Sequence, residues 1–325
     1  MSIYLVTGGA GFIGSNFIKH IFEIDNKAII INVDKLTYAG NLSNIKAELN
    51  NENHIFIKED ICNKEVMDRV FSKYSPNYVV NFAAESHVDR SIESSEDFIK
   101  SNVLGTNALL EVAVKYDIDK FIQISTDEVY GSINNGLFNE DSPLKPNNPY
   151  AASKASADLL VQSYKNTYKL PINITRCTNN FGPNQHTEKL IPMVIKNYIN
   201  GEYIPVYGDG KNIRDWIYVN DHCKAIERVL IKGELGEIYN IGTNNEICNL
   251  DIINCITEEI DRLFLEKKDY TKIGKNLINF VEDRKGHDKR YALDSSKIRN
   301  CLGWAYEDNF TDNIRNTVSW YFNKL

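Results

Sequence analysis

The chain of 325 residues is expected to fold as an α/β protein, with a doubly wound parallel sheet and a smaller C-terminal α/β substrate-binding domain. Three observations carry this expectation. The first 180 residues alternate short β-rich runs with helical stretches, as a parallel sheet covered by helices on both faces requires. A glycine-rich loop joins the first strand to the first helix, the place where such a sheet takes a nucleotide. After Gly182-Pro183 the alternation gives way to shorter elements richer in Gly, Pro and Asn. The expected division is therefore 1–180 for cofactor and catalysis and 181–325 mainly for substrate, with the chain free to cross between the two.

In order, strands are expected over residues 3–7, 28–34, 54–57, 78–82, 121–125 and 172–177. Between them, helices are expected over 13–24, 64–73, 93–115 and 149–168. In the second part the best helix is 250–264, where Ile252, Ile253, Ile256, Ile260 and Leu263 recur at helical spacing. No internal repeat or low-complexity segment is present.

Charged residues at 25% and hydrophobic ones at 42% are ordinary for a soluble enzyme. A net charge of −7 and a pI near 5.5 argue against nucleic acid or an anionic membrane as partner. An anionic ligand must then be met by locally placed Lys and Arg. No stretch reaches the roughly 18–20 apolar residues that span a bilayer. The N-terminus runs straight into a strand without a basic leader region, so a cytoplasmic location is expected. The six cysteines lack C-x-x-C spacing and are expected to be reduced thiols, with neither a metal site nor a disulfide framework.

Thr7-Gly8-Gly9-Ala10-Gly11-Phe12-Ile13-Gly14 satisfies both G-x-G-x-x-G and G-x-x-G-x-x-G. Its glycines allow a tight turn, close approach to a pyrophosphate and close helix–strand packing, and the helix N-terminus faces the anion. Twenty residues after Gly14, Asp34 ends the second strand. A carboxylate there accepts bonds from ribose hydroxyls and repels a 2′-phosphate, which favours NAD over NADP; Lys35 beside it is the one softening feature. Asp60-Ile61 follows the third strand at the adenine end. Phe82-Ala83-Ala84 ends the fourth with small residues that let backbone pass close to the cofactor.

Ser125-Thr126-Asp127-Glu128 closes the fifth strand, and Tyr150 and Lys154 follow one helical turn apart on a shared face. A nearby ammonium is expected to lower the phenol pKa, making tyrosinate a general base toward an alcohol. Two adjacent carboxyls exceed what a plain alcohol dehydrogenase needs. In this order the motifs resemble the extended short-chain dehydrogenase/reductases over nearly the whole length. Five segments narrow the resemblance to the dTDP-glucose 4,6-dehydratases: Ala83-Ala84-Glu85-Ser86-His87-Val88-Asp89-Arg90-Ser91, Ser125 to Gly131, Asn179-Asn180-Phe181-Gly182-Pro183, Gly210 to Trp216, and Glu282 to Asp288.

What this resemblance implies is a lyase using NAD on a Rossmann sheet. Tyr150 takes the C4 hydroxyl proton, Glu128 the C5 proton, and Asp127 protonates the departing C6 hydroxyl. Thr126 holds the C4 oxygen and Lys154 also anchors the nicotinamide ribose. Ser101 and Asn180 match cofactor positions. Arg214 and Arg284 match diphosphate positions. Ser86, Asn179, Lys189, Leu190, Pro205, Val206, Tyr207, Asn249 and His287 match positions lining the sugar and base pocket. His87 and His222 read as structural. A homodimer through helices near 102–115 and 151–168 is also implied.

Three residues depart from the family pattern: Lys285 for proline, Phe181 for tyrosine and Thr178 for serine. The competing readings are a UDP-sugar 4-epimerase, a UDP-glucuronate decarboxylase, or a catalytically silent NAD-binding regulator. The first two need no acid for a C6 hydroxyl, and the last has no use for an intact Tyr-Lys pair.

Overall fold

The computed structural model describes residues 2–269, 273–307 and 309–324. Its strands are β1 (Ile3–Thr7), β2 (Ile29–Asp34), β3 (His54–Lys58), β4 (Tyr78–Asn81), β5 (Lys120–Thr126), β6 (Ile172–Cys177), β7 (Asn179–Phe181), β8 (Ile204–Tyr207), β9 (Ile213–Tyr218), β10 (Ile238–Ile241), β11 (Glu246–Cys248) and β12 (Ile278–Val281). Seven form one sheet in the order β3-β2-β1-β4-β5-β6-β10, and every neighbouring pair in it is parallel. Chain order reverses between β1 and β4, so a crevice opens beyond their carboxyl ends, where doubly wound sheets bind ligands.

Successive side chains of a strand point to opposite faces, and β1 shows the consequence. Tyr4 and Val6 pack with Phe17, Ile18 and Ile21 of α1 (Phe12–Ile24) on one side. Leu5 packs with Met67, Val70 and Phe71 of α2 (Lys64–Tyr74) on the other. Helix α2 starts on the Asn63 side chain and stops where Ser75 turns left-handed at φ 46.

The expected helix over 93–115 is broken. α3 (Val88–Glu93) ends at Ser94 in extended conformation, and α4 (Glu96–Phe98) runs into a wide π-type turn over Ile99–Gly105 before α5 (Thr106–Ala113) resumes. Such a turn carries one extra residue per bond, which apolar periodicity does not reveal. By contrast α6 (Pro149–Tyr168) has its expected bounds. Asn148 accepts the Ala151 amide at 2.8 Å and Pro149 sits where no helical N–H is needed.

The second half adds α7 (Leu190–Asn200), α8 (Val219–Lys232), α9 (Asn249–Glu266), α10 (Ser296–Leu302) and α11 (Phe310–Lys324). α8 lies beside α1 on the main sheet, and β10 then joins that sheet at its edge. The remaining strands make a three-stranded β11-β9-β7 sheet and a two-stranded β12-β8 sheet. Around them α7, α9 and α11 bury a separate apolar core that includes Ile195, Val206, Trp216, Ile256 and Val318.

Candidate active site

The glycine loop works as its sequence suggests. Gly8 has φ +69, and a Cβ added there would stand 2.7 Å from the Ala83 amide nitrogen. The loop thus needs glycine both for its backbone and for the close passage of the β4 exit. Helix α1 begins at Gly11 with no side-chain cap and no acidic residue in its first turn, so its amides are left to an anion. Asp34 is buried, and its oxygens accept the Ala10 and Leu36 amides at 2.9 and 2.8 Å. Burial pushes this carboxyl up while the two amides oppose the shift. Lys35 is tied to Asp60 at 2.8 Å rather than left free for a 2′-phosphate. Every residue expected at the cofactor, from Gly8 to Asn180, lines a single cleft of ≈ 300 Å³. The chain's own geometry fits NAD.

The same cleft is lined by Thr126, Asp127, Glu128, Tyr150 and Lys154. Strand β5 delivers the first three, because its end tightens into one short turn over Asp127–Tyr130. The Thr126 hydroxyl caps that turn, accepting the Glu128 amide at 3.3 Å and donating to Asp127 Oδ1 at 3.1 Å. Asp127 is 3% exposed and its Oδ2 has no partner among the described residues. Burial first, then the neighbouring Glu128 carboxylate, pushes Asp127 well above the ordinary carboxyl range, against the opposing pull of Arg214. The Asp127 carboxyl is thereby biased toward its protonated form.

Glu128 lies in a different setting. It is half-buried, and its Oε2 accepts Asn148 Nδ2 at 3.2 Å and the Tyr291 hydroxyl at 3.4 Å. The adjacent carboxyls thus lie in different surroundings, one fully enclosed and one bonded to Asn148 at the cleft wall.

Tyr150 corrects the expectation of a phenol acidified by Lys154. Burial, then the Glu128 carboxylate, raises it well above its ordinary value, and the main opposing influence is a bond from the Thr126 hydroxyl. Lys154 is 4% exposed and donates to the Ile124 carbonyl at 2.6 Å. Burial lowers its pKa, and Asp158 one turn further along α6 opposes that.

At the substrate end, Ser86, Asn179 and Lys189 line the cleft, and Lys189 Nζ donates to the Ser86 carbonyl at 2.7 Å. Tyr207, Arg284 and His287 gather in a second cluster around Asp89. Arg284 Nη2 donates to Asp89 Oδ2 at 2.8 Å, the Tyr207 hydroxyl reaches the same oxygen at 3.2 Å, and the guanidinium lies 4.9 Å from the Tyr207 ring centre. His287 meets Asp283 at 2.6 Å. Arg214 is buried, with its guanidinium on the Ile213, Asp288 and Lys289 carbonyls and over the Tyr291 ring. Leu190 opens α7, Asn249 opens α9, Pro205 is half-buried on β8, and Val206 points into the core. These eight residues stand outside the cleft lining.

Sequence reading missed four residues that hold the site. Asn148 both caps α6 and bonds Glu128; an Asn-Pro pair directly before Tyr150 is a signal for the cap. Tyr291 and Asp288, bonded at 2.7 Å, approach Glu128 from the far end of the chain. In the wide turn, Asn102 pairs with both backbone groups of Glu85 and with Ser153, joining the β4 exit to α6. His222 is fully buried, stays neutral with a pKa lowered to about 3, and bonds Asn180 at 2.8 Å, a structural role as expected. Of the departures, Lys285 is exposed and Phe181 is packed among Tyr218 and Phe310. Thr178 is buried in the cleft wall.

A glycine loop on a parallel sheet, facing a Thr/Tyr/Lys set across one cleft, defines a short-chain dehydrogenase/reductase of the extended kind. Within that class, residues 5–317 match the family model described as GDP-mannose 4,6 dehydratase, and the chain belongs to that family. It is 50% identical over 317 residues to the low-salt glycan biosynthesis protein Agl12 of Haloferax volcanii, covering 98% of this chain and 97% of that protein. It is 46% identical over 328 residues to the dTDP-glucose 4,6-dehydratase of Neisseria gonorrhoeae, covering 98% and 94%. The crystal structure of DesIV, a dTDP-glucose 4,6-dehydratase from Streptomyces venezuelae with NAD bound, superposes with a TM-score of 0.92 at 42% identity, covering 99% of this chain and 97% of that one.

Proposed function

We propose that the protein is an NAD-dependent hydro-lyase that converts dTDP-glucose to dTDP-4-keto-6-deoxyglucose and water. One observation carries the reading: Asp127 and Glu128 are adjacent at the end of β5, the first buried with its carboxyl pushed toward the protonated form, the second bonded to Asn148 at the cleft wall. Elimination across C5 and C6 needs such an acid and base together; C4 epimerisation needs neither. The match with dTDP-glucose 4,6-dehydratases along the whole chain supports the nucleotide and the sugar.

When bound, NAD supplies the acceptor for hydride from C4 and the donor of hydride to C6. Gly8, Gly11, Phe12, Ile13 and Gly14 hold its pyrophosphate, and Asp34 its ribose. Once Tyr150 has released its resting proton to solvent, the phenolate accepts the C4 hydroxyl proton as the C4 hydride leaves, with Thr126 beside the developing carbonyl oxygen. The 4-ketone acidifies C5–H. Glu128 removes that proton while Asp127 donates its own to the departing C6 hydroxyl, which leaves as water. Glu128 then returns a proton to C5 as hydride arrives at C6. The Lys189, Arg284 and Arg214 cations offset the diphosphate.

Residues 1–180 carry the cofactor and the proton transfers, and 181–325 mainly the nucleotide sugar, with β10 lent to the first sheet. We further propose a cytoplasmic homodimer. Ile99 and Leu104 of the wide turn and Leu159 and Tyr168 of α6 expose 49%, 56%, 57% and 56% of their surface, an apolar face at the helices where pairing is expected. A monomeric mass by light scattering at micromolar concentration would refute the dimer.

The test is incubation with dTDP-glucose, UDP-glucose and GDP-mannose in parallel, followed by base. The absorbance of a 4-keto sugar is expected with dTDP-glucose foremost. Formation of dTDP-galactose without keto product would sink the reading.

A further inference from the structure

The Tyr150–Lys154 face of α6 continues one turn further to Asp158, a carboxylate with no part in the proton transfers above. Asp158 is 0% exposed. Arg176 of β6, 1% exposed, donates from Nε to Asp158 Oδ2 at 2.9 Å and from Nη1 to the Tyr130 hydroxyl at 2.8 Å; that hydroxyl in turn donates to Asn240 at 2.9 Å.

Lys154 needs such a neighbour. Its ammonium is buried and its hydrogen bond goes to one neutral group, the Ile124 carbonyl. The titratable groups acting on it are Asp158 on its own helix and Cys177 on β6, with Asp127 beyond the thiol and Tyr150 one turn back along α6. Burial pushes Cys177 up to about 12, so the thiol is neutral. Tyr150 likewise holds its proton at rest. The carboxylate at i+4 is thus the anion placed to keep this ammonium charged in a site that favours its neutral form. Burial raises the Asp158 carboxyl, and the Arg176 guanidinium paired with it at 2.9 Å is the main influence opposing that shift.

We propose that Asp158 is a positioning residue: anchored by Arg176, it keeps Lys154 protonated at the cleft wall. Arg176 thereby acts on catalysis through two intervening side chains. The arrangement separates two duties, since the groups that exchange protons with substrate face the cleft while the charge that biases them lies behind the sheet end.

The inference rests on the dehydratase reading, and the two fail differently. The reading fails if the unmodified, NAD-loaded protein makes no keto sugar from dTDP-glucose. The inference is tested by the pH profile of kcat in Asp158→Asn. Loss of the carboxylate is expected to move the alkaline limb down by about 1–3 pH units, the range for one opposite charge at close distance. At the acid end kcat stays within about threefold of the parent and KM is little changed, because at low pH Lys154 keeps its proton without help. Asp158→Glu restores the limb at least in part. If Asp158→Asn does not fold, the double variant Asp158→Asn/Arg176→Met removes both buried charges and is expected to show the same downward displacement. A variant profile that superposes on the parent's, or a uniform loss at every pH, would overturn the proposal.

Discussion

Replacing Asp127 by Asn probes the elimination half of the reaction alone. The amide has nearly the volume of the acid and keeps an oxygen for the Thr126 hydroxyl, but it has no proton to give the departing C6 hydroxyl. A positioned acid contributes about 10²–10⁴ in rate, or about 2.7–5.4 kcal/mol of barrier. The overall kcat on dTDP-glucose is expected to fall by that factor. C4 oxidation does not use Asp127, so a stopped-flow trace should still show the reduced-nicotinamide band rise on mixing, and then persist.

Stability supplies the control. The Asp127 carboxyl is raised above its ordinary value of 3.8 by burial and by Glu128. The folded state therefore binds the extra proton. Stability at this site falls as pH rises from 3.8 through the raised value and is then flat. Each tenfold loss of acidity corresponds to about 1.4 kcal/mol of that penalty. Asn cannot ionise and escapes it, so the variant should melt no lower than the parent at pH 8, with the advantage fading toward pH 4. Unchanged turnover in a correctly folded variant would refute the assignment, and so would loss of the reduced-nicotinamide signal together with turnover.

Other outcomes follow from the same geometry. Tyr150→Phe removes the base at C4 and should lower kcat by about 10²–10⁴ with no reduced-nicotinamide band at any time, the opposite signature to Asp127→Asn. Gly8→Ala places a methyl 2.7 Å from the Ala83 nitrogen on a φ of +69; the purified protein should lose most of its NAD, read by chromatography of the heat-released nucleotide. Arg284→Ala leaves Asp89 unpaired beside the expected diphosphate and should raise KM about tenfold or more, with a smaller change in kcat.

The parts legible in the sequence are those whose cause is local. Strands 3–7 and 172–177 and helix 149–168 have the expected bounds, since apolar runs, an Asn-Pro start and a change of period are written along the chain. That the glycine loop and the strand ends share one cleft was legible because such a loop and the ends of parallel strands fall at one edge of the sheet. The helix over 93–115 was not, because a π-type turn leaves no trace in apolar spacing. Strand β10 escaped notice for a similar reason: four residues at a sheet edge, 61 positions after β6, carry no mark of the crossover that delivers them. The groups that tune the carboxyls were hidden most completely. Tyr291 reaches Glu128 across a separation of 163 residues, and Asp89 meets Arg284 across 195. Only the folded chain brings them together.

The central claim is that Asp127 and Glu128 carry out a dehydration. The most direct measurement is to run the reaction with dTDP-glucose in deuterium oxide and examine the product by mass spectrometry and proton NMR, for the parent and for Glu128→Gln. The expected product of the parent is lighter than substrate by one water, with solvent deuterium at C5 and none from solvent on the C6 methyl; the variant should show neither water loss nor C5 exchange at the parent's rate. A product of unchanged mass with inverted C4 and no deuterium at C5 would contradict it.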